Sequence, residues 1–361
     1  MSHIIVFATP LFLALIALEW WWAKRQGRAV FHLPDAITSI HLGMLSQLVG
    51  LLTPVFNTGI YATVLLAWNP HTSGFWLSPW GYLLALVLYD LCYYWYHRIS
   101  HERTLLWGAH VVHHSSRDYN LSTALRQTSS GFLWAWVFYL PLALLGIPLV
   151  VFATVAMVDL LYQFWVHTQM IQRLGWFDRW FCSPSNHRVH HATNPEYLDK
   201  NYGGILLMWD HLFGTYQPEE DANPCVYGTV KPLDSVNPLW ANVAVYAQLW
   251  RDIHQTPRWR DKAKALVSRT GWHPPGTPQA NTSATHPASN TDWAQLAPHH
   301  VRWAQAFFGV SLAGVLVVLW MAPFWPTAGL WAGLLAIGAW LTVVAAYLQH
   351  ASEAKQPITV D

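Results

Sequence analysis

Apolar residues along the chain fall into blocks separated by polar or turn-forming breaks. Residues 4–22 are the first block, long enough to cross a bilayer as a helix. The stretch FHLPDAITS interrupts it, with Pro34 and a helix-capping Asp35. Residues 41–68 follow, long enough to span with tilt, with Gly50 and Pro54 as kink points. After the turn-rich NPHTSGFWLSP, residues 76–96 make a third apolar block that ends at His97. Residues 97–130 are polar. Residues 132–166 are apolar but divided by Gly146-Ile147-Pro148, which predicts two spans with a tight turn or a hairpin that enters and returns. Residues 167–302 carry no span, and residues 301–324 and 328–348 form a final pair broken at Pro323 and Pro326.

These periodicities predict an all-α fold: a polytopic membrane helical bundle with a histidine-rich helical cap. The expected units are N-terminal spans over 1–75, a core over 76–250, a linker over 251–300 and C-terminal spans with a tail over 301–361. Within the linker a short basic helix is expected, followed by disorder across TPQANTSATHPASNT, which holds an Asn281 sequon.

Composition agrees. The 361 residues are 53% hydrophobic and only 11% charged, against a usual charged share of about 25%. A net charge of +1 gives no argument for a nucleic-acid partner. Cys92, Cys182 and Cys225 form no CxxC pair and no disulfide framework. Lys24, Arg25 and Arg28 follow the first block, which predicts a retained span whose C-terminal end faces the cytoplasm. Counting spans from there brings Arg98, Arg103, Arg173, Arg179 and Arg188 to the same side. Every histidine cluster then lands on the cytoplasmic face. That parity fails if residues 41–68 dip in and return.

The histidines supply the chemistry. His97 and His101 are four apart; His110, His113 and His114 form one HxxHH, and His187, His190 and His191 form a second. On a helix such spacings bring several imidazoles to one face. Eight are too many for one tetrahedral zinc, so two metal ions are expected. Imidazole shells suit zinc, copper, iron and nickel. A binuclear zinc hydrolase would mix in carboxylates, and a transporter would hold its ligands near the bilayer midplane. A non-haem di-iron site that activates oxygen fits a membrane bundle better. His3, His32, His41, His71, His254, His273, His286, His299, His300 and His350 lie outside the clusters and are expected to be structural. Asp90, two helical turns before His97, sits inside an apolar block, where a carboxylate needs a partner; it is expected to orient a histidine through its other ring nitrogen. Tyr93, Tyr94, Trp95, Tyr96, Phe164 and Trp165 are read as an interfacial aromatic belt or the wall of a lipid tunnel.

The stretches DLCYYWYHRISHE, WGAHVVHHSSRDYNLSTALRQ, LYQFWVHT and SPSNHRVHHATNPEYLDKNYGGILLMWDHLFGTY resemble the fatty acid hydroxylase and sterol desaturase superfamily, nearest its alkylglycerol monooxygenase branch. The resemblance covers roughly residues 76–275. It implies two iron ions held by His97, His101, His110, His113, His114, His187, His190 and His191, with His167 as a ninth ligand, and O2 and a membrane lipid as substrates. For that branch it further implies tetrahydrobiopterin as reductant, cleavage of an ether-lipid O-alkyl bond, and an acidic position at Glu102 that orients a ligand or touches the metals. The alternative within the superfamily is a sterol or fatty-acyl hydroxylase or desaturase fed by a separate redox protein. One departure stands out: the family often places histidine directly before the third box, where this chain has Asn186, a poor iron ligand.

Overall fold

The computed structural model describes residues 2–68, 73–233, 235–274 and 296–353. The fold is all-helical, and the described residues pair as β-structure only in two isolated bridges, Phe181 with Leu206 and Ala192 with Tyr227. In chain order the α-helices are α1 (Ser2–Arg25), α2 (Leu33–Leu52), α3 (Ile60–Trp68), α4 (Pro79–Glu102), α5 (Thr104–Trp107), α6 (Val111–His114), α7 (Leu121–Ala124), α8 (Ala135–Leu144), α9 (Leu149–Trp165), α10 (Phe177–Trp180), α11 (Pro184–His190), α12 (Met208–Phe213), α13 (Pro238–Gln255), α14 (Trp259–Val267), α15 (Pro298–Met321) and α16 (Thr327–Glu353).

Four helical stretches are long and apolar enough to cross a membrane: Ile5–Arg25, Leu33–Leu52, Pro298–Phe324 and Thr327–Ser352. They pack together, with Met44 and Leu48 of α2 against Val315, Val318 and Leu319 of α15, and Ile37 of α2 against Leu348 and Ala351 of α16. A second apolar block joins α3, α4, α8 and α9 around Tyr61, Tyr89, Tyr139 and Phe152.

The second block corrects the expected spans. Residues 41–68 are not one helix. The helix begins earlier, at Leu33, and ends at Leu52; a wide turn over Val55–Gly59 follows Pro54, and α3 then packs on α8. Proline at 54 has no N–H to continue the ladder, so the break falls there. With 10 residues, α8 reaches only about 15 Å, half the thickness of a bilayer core. The 132–166 region is a hairpin of two apolar helices, α8 and α9, both shorter than the four long ones. The third apolar block is α4, which runs on through His97 and His101 to Glu102 and is less apolar than the four long helices.

One end of the bundle gathers the cap. Arg28, after α1, donates to the Gln169 carbonyl at 2.9 Å, and Glu19 of α1 accepts from Leu121 N at 2.7 Å and from the Thr168 hydroxyl. At the start of α2, His32 meets Asp118 at 2.6 Å and Asp35 meets Arg126 at 3.1 Å. The C-terminal ends of α4 and α9 arrive at the same place. Residues after α14 dock there too: Thr270 donates its hydroxyl to the His101 carbonyl at 2.8 Å, and Thr104 N donates to the Ser268 carbonyl at 3.1 Å. The basic helix expected in the linker is α14; residues 275–295, with the expected disorder and the sequon, lie outside the described residues.

Candidate metal centre

Nine histidines converge in two groups, and they are the nine that the sequence singles out. His97, His101, His110, His114 and His190 form one; His113, His167, His187 and His191 form the other. Within each group one nitrogen per ring lies within 4.8 Å of all the others. The HxxHH boxes do not each aim at one place, as the linear spacing suggested. Positions four apart are offset by only about 40° around a helix, whereas positions three apart are offset by about 60° the other way. His110 and His114 therefore share a group while His113 turns to the second, and His187 and His191 share a group while His190 turns to the first. Each box feeds both groups, which locks the two together.

The outer ring nitrogens set the direction of the inner ones. His97 Nδ1 pairs with the Tyr202 carbonyl at 2.8 Å, His190 Nδ1 with the Lys200 carbonyl at 2.9 Å, His113 Nδ1 with the Arg126 carbonyl at 3.1 Å and His167 Nδ1 with the Gln163 carbonyl at 2.7 Å. A carbonyl only accepts, so each Nδ1 carries the proton and each Nε2 of a neutral ring presents a lone pair. His113 and His167 then set two lone pairs 3.2 Å apart. That contact is repulsive unless a cation lies between them. The buried His101 Nε2 and His190 Nε2 have no hydrogen-bond partner among the described residues. Facing lone pairs and orphaned buried nitrogens are what a metal-binding donor set requires, so these residues fit metal ions.

Electrostatics point the same way. Burial pulls the His113 imidazole down to about 4 and, with the like charge of neighbouring imidazoles, holds His110, His114, His187, His190 and His191 well below the ordinary range. The rings are neutral at physiological pH, the form that binds metal.

A loop over residues 199–215 carries two of the outer-nitrogen carbonyls, and buried carboxylates hold it. Asp210 accepts from Tyr202 N and Gly203 N, each at 2.8 Å, and from the Thr215 hydroxyl at 2.7 Å. Asp90 accepts from Ile205 N at 2.7 Å, Leu206 N at 3.1 Å and Trp209 Nε1 at 2.9 Å. Asp90 thus does not bond a histidine, as expected of it, but helps hold the loop whose Tyr202 carbonyl meets His97. The loop offers it three N–H donors, whereas the His97 Nδ1–H is already given to that carbonyl. Gly204 fits there because a Cβ would come within 2.6 Å of Asp159 Oδ1 and 3.1 Å of Asp90 Oδ1.

Glu102 is not brought into either group. Its carboxylate pairs with Arg98 Nε at 2.8 Å, one turn back on α4. Asp199 stands nearer, its Oδ1 3.9 Å from His101 Nδ1, on a backbone with φ of +58°. Asn186 caps rather than ligates: its Oδ1 accepts from Ser183 N and Oγ, and Ser183 Oγ accepts from Asn186 N, a reciprocal cap that starts α11. Arg188 locks the same helix by a two-pronged pair with Glu219, at 2.8 and 2.6 Å. The aromatics divide. Tyr94 is buried, bonded to Thr215 and stacked on Phe213; Tyr93 donates to Gln163 Oε1 at 2.7 Å; only Trp95 reaches the surface. None of the expected structural histidines that are described joins a group: His32 meets Asp118, His273 meets Asp252 at 2.9 Å and His300 meets Tyr347 at 2.7 Å.

Residues 82–215, which hold all nine histidines, match the family Fatty acid hydroxylase. That stretch of the chain is similar to fatty acid hydroxylases. It is 39% identical over 301 residues to the alkylglycerol monooxygenase of Danio rerio, covering 82% of this chain and 65% of that one. It is 39% identical over 285 residues to the alkylglycerol monooxygenase of Homo sapiens, covering 78% and 62%. A more distant relative is the ornithine lipid hydroxylase OlsE of Rhizobium tropici, 29% identical over 211 residues, covering 57% of this chain and 62% of that one. The matches span less than two thirds of the length of these relatives. No solved structure matches the chain.

Within residues 82–215, sequence reasoning overlooked Asp159 and Asp210. Asp159 is a carboxylate inside the apolar block of α9, buried with Oδ1 unpartnered and Oδ2 accepting from Gln163 Nε2 at 2.5 Å. Its signal was the one that drew attention to Asp90: a charge inside an apolar run. Asp210 had no such signal, because its partners are backbone amides that only the folded loop presents.

Proposed function

We propose that this chain is a multi-pass membrane di-iron monooxygenase that hydroxylates a lipid C–H bond with O2, and that its substrate is an ether lipid of the alkylglycerol type. The observation that carries this reading is the pair of buried imidazole groups at one end of an apolar helix bundle, in a chain similar to alkylglycerol monooxygenases. In the proposal His97, His101, His110, His114 and His190 hold one iron, and His113, His167, His187 and His191 the other. Bound there, the irons supply the activation of O2. The protein's part is to keep nine imidazoles neutral and aimed inward, and to exclude bulk water from the four-histidine group. Hydroxylation of the carbon bonded to the ether oxygen consumes O2, an electron pair and protons and releases water. The resulting hemiacetal loses its alcohol to give a fatty aldehyde and a free glycerol hydroxyl. Tetrahydrobiopterin is the proposed reductant, as the likeness to the alkylglycerol monooxygenases suggests.

Lys24, Arg25 and Arg28 lie at the cap end of α1, so we assign the cap to the cytoplasm. The expected partition into N-terminal spans, core, linker and C-terminal spans stands as part of this proposal. The alternative is a sterol or fatty-acyl hydroxylase served by a separate redox protein, which the likeness to an ornithine lipid hydroxylase fits less closely. One assay separates the two. Purified protein is given an alkylglycerol under air, with and without tetrahydropterin, and fatty aldehyde is measured. Pterin-dependent aldehyde supports the first reading; its absence with every reductant overturns the ether-lipid assignment. Metal analysis of protein purified without added metal tests the centre, and zinc in place of iron would overturn it.

A further inference from the structure

The surface of the helix bundle carries a small polar cleft whose lining includes the loop that follows Arg126. It is about 190 Å³ in volume and lies between α2, the loop after α7 and α9. Gln47, Thr53, Gln127, Thr128 and Ser129 line it with amides and hydroxyls, and no charged side chain faces it. Val49, Phe132 and Leu160 form its apolar wall, and Leu160 is 61% exposed on a helix face shared with the exposed Met157 and Leu161. The cleft thus opens sideways, toward where lipid would lie.

Two of its polar groups lack partners. The Ser129 hydroxyl is buried without a hydrogen bond, and the Gln47 amide makes none among the described residues. An unpartnered amide facing hydrocarbon is unfavourable by about 1–3 kcal/mol or more, so a ligand that bonds it is favoured there. Gly50 leaves open space, since a Cβ there would meet nothing within 4 Å. The loop is also part of the metal centre: Arg126, next to Gln127, gives its carbonyl to His113 Nδ1.

We propose that this cleft is the docking subsite for the uncharged glycerol head of the alkylglycerol proposed above. The inference rests on the ether-lipid reading above and adds where the head is held. Neutrality follows from the lining: a phosphate would find no cation, because the nearby Arg126 guanidinium is committed to Asp35 and Ser39. Size follows from the volume, which suits a three-carbon head but falls short of the roughly 300–1,000 Å³ that drug-sized ligands occupy. The alkyl chain would leave past Phe132 and Leu160.

The test is Gly50→Leu, whose added Cβ meets nothing within 4 Å and whose side chain reaches into the cleft, alongside Gln47→Leu, which removes the free amide. Both are compared with wild type in lipid nanodiscs for binding of a 1-O-alkylglycerol, a hydroxyl-free dialkyl ether of the same length and a phospholipid, read by native mass spectrometry. KM and kcat for aldehyde release are measured in parallel. Expected is about tenfold weaker alkylglycerol binding in each variant, a matching rise in KM, unchanged kcat and unchanged metal content. Unchanged binding in a variant that keeps its metal overturns the cleft. So does equal wild-type affinity for the dialkyl ether or the phospholipid. Wild-type protein that binds alkylglycerol through Gln47 yet makes no aldehyde overturns the reaction and leaves the cleft standing.

Discussion

The two histidine groups share a wall and differ in almost everything else. The four-histidine group is closed: His167, His187 and His191 are each no more than 3% exposed, and the Nε2 atoms of His113, His167, His187 and His191 follow one another at 3.1–3.2 Å. Its outer contacts are a carbonyl, a carbonyl and the Cys182 sulfur, 3.9 Å from His187 Nδ1. The five-histidine group is nearer the surface. His110 is half-buried, and His101 faces Asp199, a carboxylate 57% exposed. One group is a sealed site with no ligand to spare. The other has a fifth ligand and a negative charge at its rim. That asymmetry suits a centre in which one metal stays fully liganded and the other is reached from outside.

The largest expected effect comes from removing a ligand on each side. His187→Ala should empty the four-histidine site and lower turnover by about a hundredfold or more, since even outer-sphere partners of a metal cost 10–100-fold. His110→Ala leaves four imidazoles in its group and should keep its metal. Metal content per chain decides it, and equal loss in both variants would break the comparison.

Next comes the support beneath the five-histidine group. Asp90→Leu strands two backbone amides and the Trp209 indole, so the Tyr202 carbonyl should drift from His97. Metal affinity in that group should fall by about tenfold, with the four-histidine group untouched. Site-resolved metal titration followed by spectroscopy reads this out; an equal loss from both groups would contradict it.

Acid should act through the buried histidines. The folded His113 imidazole titrates at about 4, pulled down by burial, whereas in the unfolded chain it titrates at about 6.5. Between those values the unfolded state binds more protons, so stability rises with pH through the window and falls as pH drops through it. Metal-free protein should therefore melt lower at about pH 5 than at about pH 7.5, and metal should be released over the same range. An identical melting temperature at both would remove burial as the cause.

The smallest effect is expected at the rim. Asp199→Asn keeps the left-handed backbone accessible but removes the charge facing His101, and should weaken the five-histidine site by less than about tenfold. A larger loss than in Asp90→Leu would mean that the rim, not the loop, holds this group.

How far the sequence reached differs between these regions. Hydropathy located the long helices well, because each is an uninterrupted apolar run of membrane length. Over residues 41–68 it marked Pro54 as a kink point, but not that the helix starts at Leu33 and stops at Leu52, nor that α3 beyond the break packs on α8. Eight ligand candidates came from spacing and a ninth from resemblance, because histidines at helical intervals are rare by chance. Asp90 was noticed as a buried charge, yet its partners lie more than a hundred residues away and could not be named.

The sequence by itself therefore determined a helical chain with apolar runs of membrane length and eight imidazoles at helical spacings that suit metal, with His167 added only by resemblance. Local periodicity and side-chain type carry that information, and neither needs a partner. Only the tertiary structure decided how the nine divide into five and four. That division depends on rotation around α6 and α11, on where α4 and α9 end, and on which carbonyl meets each outer nitrogen, and all of these are contacts between segments far apart in the chain.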